Sequence, residues 1–165
     1  MGLAQALEGA RQGKELYVEG LTFEDEQIPV GFDATFFEFH GVEFRRCVLS
    51  GARLAKASFY DCTFRECDLT GADLTSAFLA RTRLYDSKLE GAAMTGAILR
   101  SSRLVGCQCR YLNAGEATLE NALIEGCDLS EAFLSEVRLK RSSRLVDTRL
   151  VRADLFRTTL SGINL

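Results

Sequence analysis

The sequence predicts an all-β solenoid, a quadrilateral coil of about six to seven turns with five-residue sides. Three observations predict it. A small residue and a large apolar one, two apart, recur every five residues, as Cys62 to Leu79 shows: C-T-F-R-E, C-D-L-T-G, A-D-L-T-S, A-F-L. The frame holds for 26 large positions with one inserted residue. Residue identities also recur at a lag of twenty.

The large positions, here called centres, run from Phe39 in steps of five to Leu139, and resume at Leu145, Leu150, Leu155, Leu160 and Leu165. Only Cys109 and Ala114 are undersized. The small position two residues earlier holds Ala52, Ala57, Cys62, Cys67, Ala72 and Ala77, and continues so. Neither regular element alone accepts this period. On an α-helix five residues advance by roughly 500°, so the apolar stripe drifts about 140° per step. On a straight strand an odd period throws successive centres to opposite faces. A short extended side followed by a corner solves both problems, because residues two apart then point the same way. Gly51, Gly71, Gly91, Gly96, Gly106 and Gly126 fall at the corner, where a tight turn asks for unusual φ.

The lag of twenty counts the sides. Phe39 recurs at Phe59, Phe44 at Phe64, Cys47 at Cys67, Cys107 at Cys127 and Arg83 at Arg103. In-register stacking of like side chains favours such recurrence, so four sides close one turn. With coils ~4.8 Å apart the rod is roughly 30 Å long.

T-G-A-D-L, C-D-L-T-G, L-N-A and R-A-D-L-F resemble the A-(D/N)-L-x-x motif of the pentapeptide-repeat family, over about Phe37 to Leu165. The resemblance implies a right-handed quadrilateral β-helix. It also implies a bacterial protein of a family in which end-to-end dimers are common. Some members mimic DNA, bind DNA gyrase or topoisomerase IV, and protect against quinolones or toxins.

Taken in order, residues 1–35 form a non-repeating segment that is expected to cap the first coil, and 36–165 the β-helix. Leu3, Ala4, Ala6, Leu7 and Ala10 suit a short helix or a frayed tail, and Leu16-Tyr17-Val18 and Leu21-Thr22-Phe23 short strands. Phe32 and Ala34 read as a degenerate first repeat. Successive undersized centres at Cys109 and Ala114 predict a bulge or kink at Arg110–Gly115. A second bulge is expected near 140–144, where the extra residue must loop outward.

No apolar run approaches 18 residues, so no membrane span is expected. Five of the six cysteines occupy the small inward position and alternate there with Ala, Ser and Thr. They therefore read as buried free thiols, which places the chain in a reducing cytoplasm. A line of thiols is not a tetrahedral cage, so no metal and no cofactor is expected.

Catalysis has little to work with. His40 is the only histidine and sits just after a centre, on a surface corner. Asp68, Asp73, Asp128 and Asp154 precede centres, where carboxylates serve turn backbones. The chain reads as a non-enzyme: a rigid rod presenting side chains to a protein partner.

Charge is unevenly placed. Met1 to Phe44 carries nine acids and two bases, while Arg138 to Arg157 carries seven bases and two acids. Arg138, Lys140, Arg141, Arg144, Arg149, Arg152 and Arg157 are thus one candidate partner surface. Phe78 and Ile98, which precede centres twenty apart, are another, with Tyr60 close by; Phe133 and Phe156 lie on a different side. Leu155, Phe156, Leu160, Ile163 and Leu165 would face solvent from the last coil, which predicts a homodimer through that end. The gyrase reading is the alternative, and magnitude argues against it. B-DNA of this length would carry about 18 charges, against a net −3 here. Direct nucleic-acid binding is not expected, because no aromatic interleaving or groove-reading helix is present.

Overall fold

A computed structural model of the chain describes residues 1–13, 15–29, 31–140 and 142–159. It opens with α1 (Leu3–Gln12), whose apolar residues recur at helical spacing; Leu3, Ala6 and Leu7 are buried in the same core as the first coils.

Among the described residues twelve three-residue strands follow: β1 (Tyr17–Glu19), β2 (Thr22–Glu24), β3 (Glu38–His40), β4 (Glu43–Arg45), β5 (Ser58–Tyr60), β6 (Thr63–Arg65), β7 (Arg83–Tyr85), β8 (Arg103–Val105), β9 (Thr118–Glu120), β10 (Leu123–Glu125), β11 (Arg138–Lys140) and β12 (Arg144–Val146). All their pairings are parallel, each strand with its counterpart one coil away. Four faces result. The first carries β1-β3-β5 and β9-β11, joined by single bridges through Phe78 and Ile98. The second is a continuous sheet of seven strands, in the order β2-β4-β6-β7-β8-β10-β12. On the third and fourth faces the sides are isolated bridges, for example Asp68↔Lys88↔Gln108 and Asp73↔Ala93↔Asn113.

Each corner has the same solution. Its residue takes the left-handed conformation whether or not it is glycine: Gly51 has φ 66°, Lys56 φ 57° and Ser76 φ 56°. This conformation costs a non-glycine residue roughly 1–2 kcal/mol. The ladder offsets it, since the corner N–H still donates to the next coil: Lys56 to the Thr75 carbonyl at 2.9 Å, Ser76 to that of Thr95 at 2.9 Å. At Gly106 a Cβ would meet the Asp86 carboxylate, the end of a side chain that can rotate aside.

The core is one side chain deep. Phe39 stacks on Phe59 (ring centroids 4.9 Å apart) and Phe44 on Phe64 (4.6 Å), while Phe59 meets Phe64 edge-on at 5.4 Å. Each fully buried ring contributes about 1.5–3 kcal/mol, so the early coils are the most strongly packed. Later centres are mostly leucines, around an apolar cavity of about 30 Å³ that the centres Met94, Ala114 and Ile124 also line.

The structure departs from expectation in two places. No bulge or kink exists at Arg110–Gly115: Gln108 pairs with Asp128 and Asn113 with Phe133 at an unbroken step of twenty. The backbone stays regular because Leu112 fills the volume that Ala114 leaves; both are buried. The ladder also reaches below residue 36. Val18 lies under Phe39 and Phe23 under Phe44, each at a step of 21. The step returns to 20 at Asp33↔Arg53, so one surplus residue lies between Gln27 and Asp33. Phe32 and Ala34 do sit in the repeat, with their sizes exchanged: Phe32 holds the small position and Ala34 the centre. The extra residue near 140–144 is likewise visible in the register, since Arg138 pairs with Thr118 but Arg144 with Leu123.

Candidate interaction surface

Because the large residues point inward, each side offers the residues flanking its centre to solvent, in columns that run up the rod. Polar chemistry within the sides is committed to holding the coil. The Thr70 N–H donates to Asp68 Oδ1 at 2.9 Å, that of Thr75 to Asp73 at 3.0 Å, that of Ser130 to Asp128 at 3.0 Å and that of Phe156 to Asp154 at 3.0 Å. This is the turn role expected of those carboxylates. The Ser130 hydrogen bonds hold Asp128 below the usual carboxylate range.

The thiols are committed too. At the small position, Cys62 Sγ donates to the Phe39 carbonyl at 3.3 Å, Cys67 to that of Phe44 at 3.4 Å, and Cys107 to that of Leu84 at 3.5 Å. Thr82 does the same to Phe59 and Thr148 to Ile124. Small size is what the site selects, and where the short side chain carries a donor, as in Cys62 or Thr82, it also bonds a carbonyl one coil away. All six cysteines are free and buried. Burial pushes the Cys62 thiol up to about 12, and a hydrogen bond to Cys127 together with burial pushes Cys107 up. Among the described residues no three His, Cys, Asp or Glu side chains converge to hold a metal.

On the first face Tyr17, His40 and Tyr60 form a tilted ladder with centroids 4.9 and 5.6 Å apart, and Arg81 lies over the Tyr60 ring. His40 thus stands on a strand rather than at a corner, half-buried between two tyrosines and 3.6 Å from Glu38. Phe78 and Ile98 are bridged neighbours in the same face, directly above Ser58. Phe133 and Phe156 lie on the fourth face in successive coils, 53% and 62% exposed.

The basic residues that cluster in sequence do not cluster in space. Arg138 and Lys140 belong to the first face, Arg144 to the second and Arg149 to the third. Arg152 and Arg157 are corners. Arg149 lies 3.7 Å from Asp128, and Arg157 3.7 Å from Glu136. A stretch of twenty residues is one full turn, so its charges are distributed around the rod. Arg141, Leu160, Ile163 and Leu165 lie outside the described residues. Leu155 and Phe156, the remaining candidates for a dimer contact, are exposed at the end of the rod.

Sequence reasoning passed over the charge column that does form. Arg83 and Arg103 are register partners on β7 and β8, exposed and directly above one another. Several other arginines meet carboxylates one coil away: Arg46 meets Asp25 at 2.7 Å, Arg81 meets Asp61 at 2.9 Å, Arg100 meets Glu120 at 3.0 Å and Arg110 meets Glu131 at 3.1 Å. Among the described residues Arg83 and Arg103 have no such partner. Their signal was present in the recurrence of Arg at a lag of twenty.

Fold and surface together define a repeat protein of the β-solenoid class, with a packed core and an outer surface of fixed columns. Comparison then specifies the family. A pentapeptide repeat region model matches residues 37–114 and a model of eight pentapeptide repeats matches 102–141, so the chain belongs to the pentapeptide-repeat family. No match was found among curated protein sequences. Among solved structures, the chain is similar to the pentapeptide repeat protein Rfr23 from the cyanobacterium Cyanothece 51142. That match has a TM-score of 0.59 at 15% identity over 86% of this chain and 98% of the other. It is also similar to QnrB1, a plasmid-mediated fluoroquinolone resistance protein, with a TM-score of 0.52 at 17% identity over 90% and 93%. At these identities the likeness concerns the fold.

Proposed function

We propose that the chain is a non-enzymatic interaction module of the cytoplasm, binding a protein partner through the columns of its outer faces and pairing with a second copy through its last coil. The observation that carries the reading is the register itself. In-register pairing fixes outward side chains in rows one coil apart, so the surface is preorganised and loses little entropy on binding. Leu155 and Phe156 support the dimer: both are exposed, as is Val151 in the same coil.

A gyrase-directed DNA mimic, which the family resemblance implies for some members, finds less support. Its faces would have to be uniformly acidic, whereas the seven-stranded face presents Arg45, Arg65, Arg83, Arg103 and Arg144. A supercoiling assay with gyrase, with and without ciprofloxacin, is expected to show no protection.

Two measurements test the module. Cross-linking and affinity capture from the native host should return a saturable protein partner that is lost when one face is altered without lowering the melting temperature. Light scattering should give about twice the monomer mass of 18.2 kDa, and Leu155→Glu with Phe156→Glu should halve it. A monomer at high concentration removes the dimer, and the absence of any saturable partner removes the module.

A further inference from the structure

Arg83 and Arg103 are like charges on adjacent parallel strands, an arrangement that weakens a sheet unless something offsets it. Their own column offers no adjacent carboxylate. Below Arg83 in its column stands Thr63, and above Arg103 stands Leu123. At the nearby corners Asp61 is paired with Arg81, and the Asp86 carboxylate lies beside Gly106. Together with Ser101 and Arg81, the two guanidiniums line an open groove. The parallel column on the same strands is different in kind: Arg65 over the Tyr85 ring at 4.6 Å, then Val105 in register above Tyr85.

We propose that the face formed by β6, β7 and β8 docks an acidic segment of a protein partner. Its carboxylates would meet the forks of Arg83 and Arg103, and an aromatic or apolar side chain would rest on Tyr85 and Val105. Guanidinium forks match carboxylates two bonds at a time, and an anion bridging the pair turns their mutual repulsion into attraction. The occupant is a protein segment rather than a nucleic acid because the basic column is only two residues tall. It is bounded by Thr63 and Leu123, and Glu125 closes the neighbouring column. This inference rests on the interaction-module reading and supplies the face and the chemistry of its partner.

The test is a titration of the full chain with a labelled ten-residue glutamate peptide, read by fluorescence anisotropy, with a lysine peptide as control. Wild type should bind the acidic peptide saturably, more tightly at low salt, and should not bind the lysine peptide. Arg83→Gln with Arg103→Gln should lower affinity at least about tenfold and melt no lower than wild type, since repulsion between the strands is removed. Arg138→Gln with Lys140→Gln, on the neighbouring face, should leave affinity unchanged. The site is overturned if wild type does not bind, or if the Arg138/Lys140 pair matters as much. It is also overturned if the host partner is retained equally by wild type and the Arg83/Arg103 variant, an outcome that leaves the module reading intact. If no host partner exists yet the peptide still titrates through Arg83 and Arg103, the site stands and the module reading fails.

Discussion

Leu112 and Ala114 have exchanged sizes: Leu112 is buried at the position where the repeat elsewhere places alanine, and Ala114 stands at the centre. Phe32 and Ala34 make the same exchange on the same face at the other end of the rod. The two positions point the same way into the coil and are both buried, so the core registers their combined volume rather than which of them is large.

Leu112→Ala should therefore destabilise strongly, by about 2–5 kcal/mol, because nothing nearby replaces the lost volume. Adding Ala114→Leu, which restores the usual pattern, should recover most of that loss. Chemical denaturation measures both. A double variant no more stable than Leu112→Ala would show that the exchange is not what fills this side.

Inward and outward positions should differ sharply one residue apart. Leu74 is fully buried and Thr75 is not. Leu74→Lys should prevent folding or cost more than about 4 kcal/mol, since the charge has no partner in the core. Thr75→Lys should stay within about 0.5 kcal/mol of wild type. Equal costs in a urea melt would contradict the assignment of faces.

Hydrogen bonds from Ser130, its hydroxyl first and then its turn N–H, lower the pKa of Asp128. A carboxyl whose folded pKa is lowered stabilises the fold above its unfolded pKa and loses that contribution as pH falls through the folded one. Stability should accordingly decline on acidification below about pH 4. Asp128→Asn should keep the turn and flatten the decline. Asp128→Ala should cost about 0.5–1.5 kcal/mol at neutral pH. An alanine variant as stable as wild type would assign the turn to the backbone alone.

Buried thiols set an alkaline limit. Cys62 is pushed from 9.0 up to about 12. A raised folded pKa means that its contribution is complete below the unfolded value and is lost as pH rises toward the folded one. Stability should therefore fall from about pH 9 upward, and less steeply in Cys62→Ala, which places at this site the residue that neighbouring sides already use. Thiol titration after unfolding without reductant should count six. Identical alkaline profiles for wild type and Cys62→Ala would locate the titrating group elsewhere.

Much of the fold was legible because a side of five residues writes its inward pair directly into the chain. Every centre from Phe39 to Leu129 is buried, and the corner glycines have the positive φ their spacing asked for. Two things were hidden for physical reasons. The first coil escaped because its surplus residue moves the lag from 20 to 21, which hides Val18 and Phe23 from a frame counted backward from Phe39. The supposed kink at Arg110–Gly115 came from judging centres singly, when the backbone responds to the volume of the pair. The surface was less legible still. Seven bases within twenty residues look like a patch, yet one turn of a square coil scatters them over its faces. The patch that forms, Arg83 over Arg103, lies twenty residues apart in sequence.

The two 21-residue turns separate what this architecture can change from what it must keep. A surplus residue between Gln27 and Asp33, or between Lys140 and Arg144, leaves the flanking sides in register. Corners are therefore places where chain length is free, and lengthening a loop costs little closure entropy. Sides count strictly in fives, and a turn exceeds twenty only by what a corner adds. Such a scaffold can grow by duplicating turns and acquire new features by extending corners, and neither change interferes with the other. A peptide grafted at the 140–144 corner would be displayed from a rigid shaft without altering the rows above or below it.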